Sequence, residues 1–206
     1  MDLRLKHPFS MCVSGPSQAG KSQWVLRLLR NLSGMVTVLP KRVIYCYGEW
    51  QPLLDQLPSY VTLHQGLPDV EELKKFQEPQ LVVLDDMMDE CSRSPVLNAL
   101  FTKYVHHYCM SVIFLVQNIF YSKTKTARVN TNYMVLFKSP ADKLQIATLA
   151  RQLYPNRGKS FLRAYEDATS EPYSYLLVDL TQGTQEEMRL RSKVFPDEYT
   201  VVYMVK

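Results

Sequence analysis

Apolar residues recur along this chain in short blocks, each about the length of one strand and too short for a helix. Phe9–Ser14, Arg42–Tyr47, Leu81–Leu84, Ser111–Val116, Tyr133–Phe137 and Tyr175–Asp179 are largely apolar at both odd and even positions. That pattern predicts strands in a sheet covered on both faces. Between them, Lys21–Leu32 sets Trp24, Val25, Leu28, Leu29 and Leu32 at three- and four-residue spacing, the stripe of an amphipathic helix. Val96–His106 and Lys143–Leu153 read the same way, with Leu144, Ala147, Leu149 and Ala150 expected to face inward. Pro52, Pro58, Pro68 and Pro79 interrupt Gln51–Gln80, so only short, irregular elements are expected there. Thr181–Glu187 reads as a surface loop and Tyr199–Val205 as a final edge strand. Strands alternating with helices predict an α/β fold: a mostly parallel central sheet, right-handed crossovers, and helices on both faces. With no repeat or linker, 1–206 is expected to form one domain.

Composition changes this picture little. The chain has 206 residues, 46% apolar and 21% charged, ordinary values for a folded domain that argue against disorder. A net charge of +4 permits a polyanionic partner without requiring one. Cys12, Cys46, Cys91 and Cys109 form no C-x-x-C pair, and His106-His107 are adjacent instead of one turn apart. The cysteines therefore read as reduced thiols and not as metal ligands. Met1–Pro8 lacks the apolar core of a signal peptide, and no apolar run reaches bilayer-spanning length. A soluble, intracellular or particle-enclosed protein without a membrane partner is expected.

The strongest local signal is Gly15-Pro16-Ser17-Gln18-Ala19-Gly20-Lys21-Ser22, a complete G-x-x-x-x-G-K-S between a predicted strand and a predicted helix. Glycines at both ends let the backbone turn closely around a phosphate. Successive amides and the helix N-terminus, through Gln23, then aim partial positive charge at it. Lys21 is expected on the β- and γ-phosphates of ATP, and the Ser22 hydroxyl on Mg²⁺. Leu81–Leu84 runs into Asp85-Asp86, placing acids at a strand's carboxyl end, where ligands of parallel sheets collect. Asp85 is the expected Mg²⁺ partner, and Asp86 the expected general base for an attacking water. Asp89 and Glu90 compete for the base role but read as a solvated helix start. Ser111–Val116 ends in Gln117-Asn118, and Gln117 could sense the γ-phosphate or simply close a turn.

The order of P-loop, acidic strand end and glutamine-ended strand resembles the FtsK/HerA superfamily, whose members have a RecA/FtsK-like P-loop NTPase fold. More closely, the chain resembles DNA-packaging ATPases of Polinton elements, adintoviruses and related large DNA viruses, including those of poxvirus type. The resemblance is carried by Tyr45–Pro52, Gly66–Pro68, Leu84–Met88, Phe101-Thr102, His106-His107, Ser111–Phe120 and Asn130–Tyr133. It continues in Ala150–Pro155, Ala164–Thr169 and Tyr175–Leu180. It implies Walker A roles for Lys21 and Ser22, Walker B roles for Asp85 and Asp86, and a polar sensor at Gln117. It also implies a homo-oligomeric ring, usually a hexamer, that threads double-stranded DNA into capsids, with a capsid or portal component as a further partner. Such a protein would act in the nucleus or cytoplasmic factory of an infected or element-bearing cell, or travel with the virion. One departure stands out: where the family often has Asn-Pro-Arg-Asp, this chain has Ser139-Pro140-Ala141-Asp142. Ala141 cannot supply a trans-acting arginine, so Arg128, Arg151, Arg189 and Arg191 become the candidates, Arg128 first.

Tyr121–Arg128, with Lys123, Lys125 and Arg128, is basic and follows the Gln117 strand, so it reads either as a DNA-tracking loop or as a solvated basic loop. Two other functions are compatible with the motifs: a small-molecule P-loop kinase, and a domesticated nucleotide- or DNA-binding scaffold with little turnover.

Overall fold

The computed structural model describes residues 2–120 and 125–205, and for Asp89, Ser92, Arg93, His106, Lys125 and Thr126 the backbone alone. Its strands are β1 (Ser10–Ser14), β2 (Arg42–Tyr47), β3 (Val61–Gln65), β4 (Gln80–Asp85), β5 (Met110–Val116), β6 (Tyr133–Phe137), β7 (Tyr175–Asp179), β8 (Leu190–Ser192) and β9 (Val201–Tyr203). The helices are α1 (Lys21–Arg30), α2 (Leu32–Met35), α3 (Val70–Lys75), α4 (Met88–Arg93), α5 (Val96–Ala99), α6 (Val105–His107), α7 (Lys125–Val129), α8 (Lys143–Leu153) and α9 (Gly158–Ala168). A π turn over Leu100–Tyr104 joins α5 to α6. Among the described residues the strands form one sheet in the order β3-β2-β4-β5-β1-β6-β7-β8-β9.

The sheet is parallel from β3 through β6 and antiparallel from β6 through β9. Parallel pairing thus stops at β6, because β7 returns antiparallel beside it. Alternation along each strand sends side chains to two cores. Met11, Val13, Val83, Ile113 and Val135 pack with Trp24, Leu28 and Leu29 of α1 on one face. On the other, Cys12, Val82, Val112 and Phe114 meet Leu97, Phe101 and Val105, while Met134 and Leu176 meet Ile146, Phe161 and Tyr165 of α8 and α9. Helices on both faces of a mostly parallel sheet are the arrangement expected from the apolar blocks.

Several elements depart from the sequence expectations. The first helix ends at Arg30, where Asn31 donates its backbone N–H to the Leu28 carbonyl, and α2 follows as a separate short turn. The proline-broken stretch holds a true parallel strand, β3, at the sheet edge. Leu144 is 72% exposed; the inward position of that first turn belongs to Gln145. Its backbone and side-chain N–H groups donate to Asp142, and its Oε1 accepts from the Ile119 backbone. His107, at the end of α6, is exposed. The polar Thr181–Glu187 segment is a surface loop, as expected, and folds back on Asp179 through the Thr181 and Thr184 hydroxyls.

Asp179 also accepts from Arg191 at 2.7 Å, with both side chains almost fully buried. A second Arg191 nitrogen donates to the Leu3 carbonyl, tying the N-terminal segment to β8. Arg191→Ala would strand a desolvated carboxylate, so urea unfolding should show a loss of about 3–5 kcal/mol. Glu72→Ala, at the exposed end of the Arg42–Glu72 pair, should leave the midpoint within error.

Candidate active site

The carboxyl ends of β1, β4 and β5 converge on one edge. β5 lies between β1 and β4, with Ser14 opposite Val116 and Leu84 opposite Phe114. Gly15 continues β1 and donates its N–H to the Val116 carbonyl at 3.2 Å. A Cβ on Gly15 would lie 2.7 Å from that of Phe137, so only glycine fits this close approach. The loop then passes through left-handed backbone at Gln18 (φ 63°) and Gly20 (φ 99°), the second costing glycine nothing. α1 starts at Lys21 with no side-chain cap and no acid in its first turn. Its leading amides and the positive end of its dipole therefore face the loop, an arrangement suited to an anion. Lys21 folds over the loop, its Nζ donating to the Gly15 and Pro16 carbonyls at 2.9 Å each. Burial pushes this ammonium's pKa down, while the negative charges of Asp85 and Asp86 oppose the shift.

Asp85 ends β4 and is 7% exposed. Its Oδ2 accepts from the Ser22 hydroxyl at 2.8 Å and from the Tyr45 hydroxyl on β2 at 2.6 Å. Burial raises the Asp85 pKa above the usual carboxylate value; the Tyr45 and Ser22 hydrogen bonds, followed by Lys21, act in the opposite direction. Burial also raises the Tyr45 hydroxyl, which stays protonated as a donor. Ser22 and Asp85, assigned to one metal from separate sequence motifs, are thus in direct contact. The remaining predicted residues open onto the same space. A cavity of about 900 Å³ is lined by Lys21, Ser22, Asp85, Asp86 and Gln117. Asp86 is exposed on left-handed backbone (φ 56°) just past β4, and Gln117 is exposed just past β5.

Sequence reasoning assigned no role to Tyr45 or Glu49 and discounted Glu90. Tyr45 carries an aromatic hydroxyl in the middle of a strand whose neighbours Ile44 and Cys46 are apolar, a signal that such a hydroxyl needs a buried partner. Glu49 and Glu90 line the cavity alongside Asp86. Arg128 is not brought to this chain's own P-loop. It lies over the Phe120 ring at 4.5 Å and donates to Gln152 at the end of α8. The segment following it re-enters the sheet beside Ser10, at the opposite end of β1. Arg191 is buried in its ion pair, and Arg189 is held by Glu186 and the carbonyls of Asp179 and Thr181. Arg151 is exposed and contacts Thr148. Tyr121–Thr124, including Lys123, and the Lys125 side chain lie outside the described residues.

Among the described residues, no group of three or more His, Cys, Asp or Glu could hold a metal alone. One carboxylate and one hydroxyl beside a phosphate cradle instead suit Mg²⁺, which keeps waters and phosphate oxygens among its ligands. A strand-loop-helix cradle, a lysine over it and an acid on a neighbouring strand touching the loop's serine define a P-loop NTPase. Residues 2–164 match the model of the Poxvirus A32 protein family, and the chain belongs to that family. It is similar in structure to the genome packaging NTPase B204 from Sulfolobus turreted icosahedral virus 2, solved in complex with ATP-gammaS. The TM-score is 0.53 at 9% identity, covering 97% of this chain and 98% of that one; the likeness is one of fold. No curated protein matches the chain.

The Asp85 geometry carries a stability cost. A carboxyl whose pKa is higher in the fold than in the unfolded chain contributes stability below its unfolded value, usually 3.8. That contribution is lost as pH rises through the folded value, so at neutral pH the ionised group opposes folding. Asp85→Asn should therefore raise the urea midpoint at pH 7, and the gain should shrink as the pH is lowered toward 4. A lower midpoint at pH 7 would contradict this balance.

Proposed function

We propose that this chain is an ATP-driven motor that moves double-stranded DNA into capsids, working as a ring of identical copies. The observation that carries the reading is the 2.8 Å contact between Ser22 and Asp85 beside the P-loop, with Gln117 just past the end of β5, the strand between them. Membership of the Poxvirus A32 protein family and the packaging-NTPase fold both agree with it.

In this reading Lys21 exchanges the Gly15 and Pro16 carbonyls for β- and γ-phosphate oxygens. The loop amides hold the β-phosphate. Ser22 and Asp85 would hold Mg²⁺, which would supply charge neutralisation at the phosphates. Asp86 accepts the proton of the attacking water, and Gln117 orients that water. An arginine from a neighbouring copy completes the charge stabilisation, since none of Arg128, Arg151, Arg189 or Arg191 lines this cavity. Gln117 leads directly into the basic segment ending at Arg128, so rearrangement at the γ-phosphate is transmitted to the part of the chain that grips DNA. The setting is the nucleus or cytoplasmic factory of an infected or element-bearing cell.

DNA-stimulated ATP hydrolysis by a sized oligomer tests the proposal. Lys21→Ala should lower the rate about 100-fold or more, the scale of losing one preorganised charge-stabilising donor. Gln117→Ala should retain nucleotide binding while losing turnover. Hydrolysis indifferent to DNA but stimulated by a small acceptor would indicate a kinase, and binding without turnover a scaffold.

A further inference from the structure

The cavity at the metal side accounts for one end of a nucleotide only. Asp85 ends β4 and Gln117 follows β5, both to one side of β1. A triphosphate cradled with its γ end there must send its α-phosphate, ribose and base to the other side, over β6 and β7. Tyr173 lines two cavities that reach the P-loop there: one of about 730 Å³ along Gly20–Gln23 and, nearer the end of β6, a second of about 320 Å³, both within the size range of ligand pockets. The lining of the second starts on the P-loop itself, at Gln18 and Ala19, and passes Phe137 and Lys138 to Pro172 and Tyr173. Gln18 lines this cavity and the metal-side one.

Tyr173 is the unusual residue in this wall. Its ring stands against the P-loop: a Cβ built on Gly20 would lie 3.2 Å from Tyr173 Cδ1. Even so, 72% of the side chain is exposed. Its backbone is left-handed, with φ 62°, a conformation that costs a bulky side chain energy and that collects at functional sites. A turn fixes it, with Ser174 donating its N–H and its hydroxyl to the Glu171 carbonyl. An aromatic residue is thus held out of the core, in an unfavourable backbone conformation, next to a phosphate site. Glu171 and Lys138 both line the cavity, so its charge is balanced, as suits a neutral heterocycle better than another phosphate.

We propose that Tyr173 is the stacking platform for the nucleobase, with the cavity between the P-loop and the Ser170–Ser174 turn as the base subsite. The proposal rests on the nucleotide reading above and extends it to residues outside the Walker motifs. A π-face grips any base, so the subsite adds affinity for nucleoside triphosphates over bare polyphosphate while discriminating little among bases.

Calorimetric titration of Mg·ATP and of Mg·tripolyphosphate into the full chain separates the two claims. Tyr173→Asn removes the ring yet suits left-handed backbone, so its thermal midpoint should equal or exceed that of the parent. Its affinity for ATP should fall about 5- to 100-fold, the range of one lost base–aromatic stack. Tripolyphosphate affinity should not change, and Tyr173→Phe should bind ATP like the parent. Unchanged ATP affinity in Tyr173→Asn would overturn the platform. So would a parallel loss for tripolyphosphate, which would make Tyr173 a support of the P-loop. Failure of the parent chain to bind either ligand would overturn the nucleotide reading itself.

Discussion

A buried carboxylate shared between two hydroxyls holds this site together. Asp85 ends β4 inside the sheet edge, where ionisation is opposed by desolvation, and its Oδ2 is bonded both by Ser22 from the P-loop and by Tyr45 from β2. Those two hydrogen bonds offset part of the desolvation and fix the distance between two motifs 63 residues apart in the chain. The order of strands makes the contact possible. β5 separates β1 from β4, so the serine at the start of α1 reaches across β5 to the acid, and Gln117 emerges between them. The carboxylate, glutamine and lysine then face one cavity.

The same arrangement explains how events at the site could travel. Covered on both faces, the central strands have little freedom to move, and the P-loop is anchored to β5 through the Gly15–Val116 hydrogen bond. Beyond the strand ends lie Asp86 on left-handed backbone, Gln117, and the Ser170–Ser174 turn that carries Tyr173. Two of the described non-glycine residues with left-handed backbone, Gln18 and Asp86, line this cavity, as residues that must meet a ligand often do.

Much of this was legible in the sequence because it is local. The central strands announce themselves by being largely apolar at both odd and even positions, and the P-loop by a spacing set between a strand and a helix. β3 was missed because an edge strand has no need of an apolar run; its residues are only half-buried or exposed. α9 was also missed, although Phe161, Ala164, Tyr165 and Ala168 carry a helical spacing that could have revealed it. The reversal at β7 could not be read, since apolar patterning is blind to strand direction. Leu144 pointed the wrong way because Asp142 caps α8 by bonding Gln145, which turns that polar residue inward. Tyr45 beneath Asp85 and Tyr173 beside Gly20 are tertiary meetings that no spacing encodes.

Joint holding of a magnesium ion by Ser22 and Asp85 against the phosphates is what the proposed motor requires first. It is tested most directly by measuring ATP affinity with and without Mg²⁺ for the parent chain and for Asp85→Asn. The parent should bind more tightly when Mg²⁺ is present, and that increment should vanish in the variant while metal-free binding persists. A variant that kept the full magnesium increment would contradict the account.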